Sequence, residues 1–416
     1  MPFLAAQQLD GADPASCGKT DSRYYLSAGR AAHLEAVRRR GVRAFHIRRL
    51  LSRPRVCIFC GQPPTGNTRE HIIPRWLIEH TGDPRRKILL WPFTSQSVIS
   101  GRPNPFKAFS FDSFAFPSCS SCNSTFASLE DRAKPLILAL LEGRPLSALD
   151  FDVVLDWFDK VRVGLWLAFH YFLDRNYWGV LPHFFIANRI AQADRALFIS
   201  RSNDHQPGIR FAGVNTPAFA HTPSCFGLAI NDLFIINISH QSILSEGAGF
   251  PFVTKYLFRP DERIESELHD GKEALAHPLL RLNTPYEGIL VGQPIVPRME
   301  DPSAAGDAYM SEYVSRHLIS EARGKVLIDR DSHLSVYPNS PSTSWAPSAS
   351  GDFLGAISRN ATETLGLQND LVRLVTLSPD LSDEQRQFME YQNANCIKAN
   401  EDLLAAFPYP KSPHAA

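Results

Sequence analysis

The sequence predicts an α+β protein, with a small cysteine-bounded N-terminal module and a larger mixed α+β C-terminal domain. Three observations lead to this prediction. Two Cys-x-x-Cys pairs, at residues 57–60 and 119–122, can close around one metal ion. Residues 151–174 carry the nearly continuous apolar pattern that is typical of a long buried helix. Residues 208–239 have the pattern of a strand meander, with a tight turn at Asn231-Asp232.

The length of 416 residues predicts two or three domains. Breaks in composition divide the chain into five segments: a basic, partly helical arm (1–54), a cysteine-bounded module (55–145), an α+β domain (146–337), a linker rich in Pro and Ser (338–351) and a helical segment (352–416). No stretch reaches membrane-spanning length, and the N-terminus lacks the features of a secretory signal. We therefore expect a cytoplasmic protein with no membrane contact.

The net charge of zero conceals an asymmetry along the chain. Residues 1–107 hold 18 Lys and Arg against 7 Asp and Glu, a net +11, while the remainder holds 25 against 36, a net −11. A basic first quarter indicates contact with a polyanion. The candidate phosphate-binding residues are Arg38, Arg39, Arg40, Arg48, Arg49, Arg69 and Arg75. The alternative for each of them is a solvated surface charge.

The four paired cysteines are Cys57, Cys60, Cys119 and Cys122. Four thiolates satisfy a structural zinc ion without leaving a coordination position open. Such an ion can add roughly 10–16 kcal/mol of apparent binding free energy to folding, enough to organise a loop-rich module. The alternative is four reduced cysteines without a metal. The other three cysteines, Cys17, Cys225 and Cys396, are expected to be buried, inert thiols.

Between the two pairs, residues 69–73 are expected to form a short strand that Pro74 terminates. This strand carries Glu70 and His71, and Asn123 directly follows the second pair. An imidazole is suited to deprotonating water, while carboxylate and amide oxygens suit a hard divalent cation. Alternation along a strand places neighbouring residues on opposite faces, so a twist must bring Glu70 and His71 to one centre.

This combination of Cys-x-x-Cys, Glu-His-Ile-Ile-Pro and Cys-x-x-Cys-Asn resembles the HNH endonuclease family. The resemblance implies a ββα-metal fold that holds one catalytic divalent ion, Mg²⁺ or a similar cation, beside a structural zinc. It implies that His71 is the general base, that Glu70 is the acidic metal ligand and that Asn123 is the family's asparagine after the second pair. Glu130 lies two helical turns after Asn123 and is a candidate further ligand, with a surface carboxylate as the alternative.

Outside these motifs, the sequence predicts helices in some segments and gives no prediction in others. Residues 85–118 give no prediction of strands or helices. A helix is expected from Cys122 until Pro135 ends or kinks it, and a second helix is expected over residues 136–141, before Gly143. Residues 382–406 are expected to form a helix with a capping box between Ser382 and Gln385.

These observations predict a metal-dependent endonuclease that hydrolyses nucleic-acid phosphodiester bonds at a single-metal site. DNA is the expected partner in preference to RNA. A regulatory protein partner through residues 146–416 is left open. The alternative function is a non-catalytic, zinc-stapled nucleic-acid-binding protein.

Overall fold

The structure is a computed structural model. It describes residues 56–66, 68–90, 107–111, 115–168, 185–245, 252–258, 264–269, 288–295, 323–330, 333–337, 349–375 and 381–406. The predicted basic arm, with Arg38, Arg39, Arg40, Arg48 and Arg49, lies outside the described residues, as does Cys17.

The described residues form a mixed α+β fold. The strands are β1 (Thr68–His71), β2 (Lys87–Leu90), β3 (Lys107–Ser110), β4 (Ala115–Ser118), β5 (Arg195–Arg201), β6 (Ile209–Ala212), β7 (Cys225–Ile230), β8 (Leu233–Ser239), β9 (Phe252–Phe258), β10 (Ile264–His269), β11 (Ile289–Gln293), β12 (Leu327–Arg330) and β13 (His333–Val336). The helices are α1 (Arg75–His80), α2 (Ser120–Leu141), α3 (Ala148–Ala168), α4 (Pro217–His221), α5 (Phe353–Arg373) and α6 (Asp383–Ala406). A short 3₁₀ turn covers Ile186–Asn188.

The N-terminal part is built on an antiparallel strand pair followed by a helix. β1 pairs with β4, so that Glu70 lies opposite Phe116 and His71 lies opposite Ala115. α2 begins shortly after β4 ends. The strand ends at His71, before the predicted boundary at Pro74, and Pro74 instead directly precedes α1. Strands β2 and β3, which the sequence did not predict, lie between β1 and β4 along the chain and pair with each other.

The prediction of two helices on either side of Pro135 is wrong. One helix, α2, runs through the proline. Its buried residues Leu129, Ala133, Ile137 and Leu140 are spaced as one helical face on both sides of Pro135. Burial of this continuous face offsets the one backbone hydrogen bond that proline cannot donate.

The C-terminal part is organised by a seven-stranded antiparallel sheet in the order β13-β12-β11-β5-β8-β7-β6. Side chains alternate between its two faces, and both faces are buried. Leu197 and Ile199 of β5 belong to the core shared with α3 and the N-terminal part, whereas Phe198 packs in a second cluster with Leu367 and Leu371 of α5. The sheet therefore lies between α3 on one side and α5 on the other.

Several predicted details of the C-terminal part are confirmed. The meander of β6, β7 and β8 forms, and Asn231 in its tight turn adopts a left-handed φ of 56°. The capping box of α6 also forms, because the Ser382 N–H donates to Gln385 Oε1 (3.0 Å) and the Gln385 N–H to Ser382 Oγ (3.2 Å). None of the described helices is long and apolar enough to cross a membrane.

Candidate functional site

Four cysteine thiols meet between the start of β1 and the start of α2. The sulfur atoms of Cys57, Cys60, Cys119 and Cys122 all lie within 4.8 Å of one another. The Cys119 sulfur is 3.4 Å from that of Cys57 and 3.7 Å from that of Cys60. A tetrahedral zinc ion with bonds of about 2.3 Å holds its sulfur ligands about 3.8 Å apart. The quartet therefore fits a metal such as zinc, as its spacing predicts.

Backbone hydrogen bonds shape the first half of the quartet. The Cys57 N–H donates to the carbonyl of Gln62 (2.8 Å), and the Gly61 N–H donates to the carbonyl of Cys57 (2.9 Å). Gly61 has a φ of +76°, a conformation that glycine adopts without steric cost. The Ile58 N–H donates to Pro117 of β4 (2.9 Å), which joins this turn to the strand pair.

The second half of the quartet lies at the N-terminus of α2. Cys119 precedes the helix and Cys122 lies in its first turn. A hydrogen bond with the Cys122 thiol is the largest of the effects that lower the pKa of Cys119, to about 6. Burial raises the pKa of Cys60 and that of Cys122. Zinc binds thiolates, so its binding displaces the protons that burial otherwise holds on those two thiols.

A segment from the C-terminal part closes over the first cysteine turn. This segment, residues 185–191, is called the strap below. Within it, the N–H of Ile186 donates to the carbonyl of Ile58 (3.2 Å), and the N–H of Ala187 donates to the carbonyl of Phe59 (3.1 Å). The N–H of Ala191 donates to Asp159 of α3 (3.0 Å). The strap thereby ties the cysteine turn to α3.

The β1–β4 pair presents different side chains on its two faces. Because successive strand residues point to opposite faces, Thr68 and Glu70 share one face, while Arg69 and His71 share the other. Glu70 is buried and Arg69 is exposed. We call the Glu70 side the inner face and the His71 side the outer face.

On the inner face, two carboxylates converge on one ammonium group. Lys160 of α3 contacts both Glu70 of β1 and Glu130 of α2. The Lys160 side chain is fully buried, while 9% of Glu70 and 19% of Glu130 is exposed. Burial, the largest effect, raises the pKa of Glu130 to about 7, against the attraction of Lys160. The three groups join β1, α2 and α3 through a shared cation.

Asn123 is held on the same side of the strand pair. Its Oδ1 lies 3.0 Å from the Ser118 hydroxyl, which is also 3.2 Å from the Thr68 hydroxyl. Ser118 lies opposite Thr68 in the ladder. These contacts fix the first turn of α2 to the end of the strand pair and use one lone pair of the Asn123 amide oxygen.

The oxygen atoms expected around a catalytic divalent ion were those of Glu70, Asn123 and Glu130. Both carboxylates already contact Lys160, and the amide oxygen accepts from Ser118. Among the described residues, the cysteine quartet is the group of His, Cys, Asp and Glu side chains close enough to hold a metal ion. As arranged here, the predicted oxygen set does not fit a divalent ion.

On the outer face, an arginine reaches toward the position of the histidine. The Arg69 guanidinium donates to the carbonyl of Ala115 (3.2 Å), the residue directly opposite His71. Residues two apart on a strand are about 7 Å apart and point the same way. The outer face therefore carries a half-buried imidazole with an exposed guanidinium group beside it.

The predicted phosphate-binding residue Arg75 lies on α1 and pairs with Glu79 (2.7 Å). This ion pair is exposed, and exposed pairs contribute only about 0–1 kcal/mol to stability. The carboxylate of Glu79 reduces the local positive charge, while the Arg75 guanidinium stays accessible to solvent.

Lys160 is the residue that sequence reasoning missed. It lies in a helix whose apolar pattern predicted only burial, yet α3 also carries Asp156, Asp159 and Arg162 within one turn of it. Arg195 of β5 pairs with both aspartates, at 2.6 Å and 3.0 Å. Charged residues spaced three or four apart in an otherwise apolar helix indicate buried ion pairs, because an unpaired buried charge is too costly.

Comparisons of the chain with protein-family models, with curated proteins and with solved structures found no match. The features that bear on function are therefore the geometry of the cysteine quartet and the two faces of the β1–β4 pair.

Proposed function

We propose that this protein hydrolyses phosphodiester bonds of nucleic acids, with His71 as the general base. The observation that supports this most directly is the outer face of β1, where His71 and Arg69 point the same way from a strand held by the cysteine quartet. A half-buried imidazole beside an exposed guanidinium group is a combination suited to phosphate chemistry.

In this proposal, His71 accepts a proton from the attacking water, whose oxygen bonds to phosphorus as the bond from phosphorus to the leaving sugar oxygen breaks. The leaving oxygen takes up a proton from water, and His71 then releases its proton to solvent. A phosphodiester carries a negative charge that repels a nucleophile, so the reaction also needs a cation at the phosphate oxygens. Arg69 supplies it, because a guanidinium group can donate two parallel hydrogen bonds to a phosphate. General base catalysis of this kind contributes typically 10²–10⁴-fold to a rate.

The remaining parts of the module hold this arrangement in place. The quartet anchors the Thr68–Ser118 end of the β1–β4 pair, and Asn123 fastens α2 to the same end through Ser118. The net charge of +11 over residues 1–107 supports a polyanionic substrate. Contacts to backbone phosphates confer affinity without sequence selectivity, so the proposal covers nucleic acid as a class.

The test is incubation of the full chain, loaded with zinc, with plasmid DNA and with a single-stranded RNA. The wild type is expected to cleave at least one of them, and His71→Ala is expected to lose that cleavage. The matched control is His80→Ala, since His80 is an exposed histidine at the end of α1. Equal cleavage by His71→Ala and the wild type would remove His71 from the mechanism.

The second candidate function is nucleic-acid binding without catalysis, supported by a zinc-stapled module. The specific observation in its favour is the Glu70–Lys160–Glu130 cluster, because carboxylates that pair with a buried lysine serve folding rather than catalysis. This candidate predicts binding that weakens with salt and that His71→Ala leaves intact. Cleavage that depends on His71 would exclude it.

A further inference from the structure

We propose that Lys160 is the resident cation of the inner face, in the place where the resemblance of the sequence implies a divalent metal ion. This inference concerns the site proposed above and rests on that proposal for its catalytic meaning. It makes Lys160 a positioning residue, since its buried side chain neutralises and orients Glu70 without reaching the substrate.

The first support is the position of the ammonium group. It contacts one carboxylate on the strand that carries His71 and one on the helix that carries Asn123. These are the two elements that a bridging metal ion would join. Lys160 therefore makes the same connection between β1 and α2 that an ion held by Glu70 and Glu130 would make.

The second support is the burial of the group. The Lys160 side chain has no exposed surface, and a buried ammonium group is retained only where acidic partners compensate for its desolvation. A divalent cation approaching Glu70 would meet this fixed positive charge. It could bind there only after Lys160 had moved away from both carboxylates.

The third support is the rigidity of α3 around this residue. Asp159, the preceding residue, pairs with Arg195 and also accepts from the strap. Arg162, two residues further on, pairs with Asp159 (2.7 Å) and donates to Asn237 of β8 (2.6 Å). The backbone on both sides of Lys160 is thus fixed to the seven-stranded sheet, which holds the ammonium group at the carboxylates.

Manganese binding tests this inference without depending on activity. Wild-type protein loaded with zinc and freed of other metals is titrated with Mn²⁺, and bound ion is followed by electron paramagnetic resonance. We expect no site tighter than about 1 mM in the wild type. We expect Lys160→Met to bind Mn²⁺ at least about tenfold more tightly, because it leaves two buried carboxylates without a cation. Lys134→Met is the matched control, since Lys134 lies on α2 with its ammonium group over Trp76.

Lys160→Met is also expected to lose thermal stability and to regain part of it in Mn²⁺, whereas the melting temperatures of the wild type and of Lys134→Met stay unchanged by the ion. If Lys160→Met does not fold, the wild type and Glu70→Gln still decide the question. A wild-type Mn²⁺ site that Glu70→Gln abolishes would overturn the inference. Wild-type protein that binds no Mn²⁺ supports it.

Plasmid cleavage, measured in parallel, separates this inference from the proposed function. Cleavage by the wild type in metal-depleted buffer, lost in His71→Ala, supports both proposals. Cleavage that requires an added divalent ion bound at Glu70 overturns the role of Lys160 and leaves the nuclease proposal standing. No cleavage under any condition, with no Mn²⁺ bound, overturns the nuclease proposal and supports the internal cation.

Discussion

The ring of Phe185 lies against the α-carbon of Gly61, so that a β-carbon on Gly61 would be 2.3 Å from its Cε2 atom. The strap can therefore pack against the first cysteine turn only because residue 61 is a glycine and has no side chain. This contact, together with two backbone hydrogen bonds from the strap, makes the cysteine quartet part of the same packed unit as α3.

We expect Gly61→Ala to destabilise the zinc-loaded protein by about 2–5 kcal/mol, from the left-handed backbone and from displacement of Phe185. The control is Gly66→Ala. Gly66 also has a positive φ, of +86°, but a β-carbon there would lie 3.3 Å from Ser120 Oγ. Its expected loss is only about 1–2 kcal/mol. Urea unfolding measures both, and equal losses would show that the Phe185 contact does not limit position 61.

Zinc binding by the quartet is tested with Cys119→Ser. Removal of one of four thiolates is expected to weaken zinc affinity by about 100-fold or more, because the apparent binding free energy of roughly 10–16 kcal/mol is shared among four ligands. Zinc content after dialysis, measured by a colorimetric chelator, reports the loss. Cys225→Ala is the control, since Cys225 is buried in the sheet away from the quartet. A Cys119→Ser protein that keeps its zinc would contradict the tetrathiolate site.

Stability is expected to fall below neutral pH because of His221. Desolvation lowers the pKa of this histidine from 6.5 to about 4. The unfolded chain therefore binds more protons between these two values, so stability decreases as pH falls from about 6.5 to about 4, by up to about 3 kcal/mol. Urea unfolding of the wild type and of His221→Gln at pH 7 and pH 5 measures how far the free energy of unfolding of each protein falls between the two pH values. His80→Gln, at an exposed position, is expected to keep the wild-type pH dependence.

The proposed phosphate contact of Arg69 is tested through salt dependence. We expect Arg69→Ala to weaken nucleic-acid binding similarly for all sequences and to reduce the slope of log affinity against log salt by about 0.9 for duplex DNA. The control is Arg85→Ala, an exposed arginine that pairs with Asp83 (3.5 Å). Fluorescence anisotropy at several salt concentrations gives both slopes. An unchanged slope in Arg69→Ala would exclude this contact.

Local rules predicted the parts of this fold whose contacts are close in sequence. The capping box of α6 needs only Ser382 and Gln385, and the β7–β8 turn needs only Asn231 and Asp232. The cysteine quartet was also predictable despite its wide spacing, because each Cys-x-x-Cys pair identifies half of the site by itself. The mixed α+β class follows from these elements.

The contacts that the sequence left unpredicted join distant segments. Lys160 meets Glu70 across ninety positions of the chain, and its apolar neighbours indicated only a buried helix. The strap reaches Ile58 from residue 186, through backbone groups that no side-chain pattern reveals. Alternation places Glu70 and His71 on opposite faces, but it does not identify Lys160, the cation on the inner face.

We propose that phosphodiester cleavage occurs at His71 on the outer face of β1. The most direct measurement is the cleavage rate of a labelled nucleic acid by wild type, His71→Ala and His80→Ala at equal zinc content. We predict a rate at least about 100-fold lower for His71→Ala, and no change for His80→Ala, because only the former lacks the base. Equal rates for the wild type and His71→Ala, with both proteins folded, would contradict the claim.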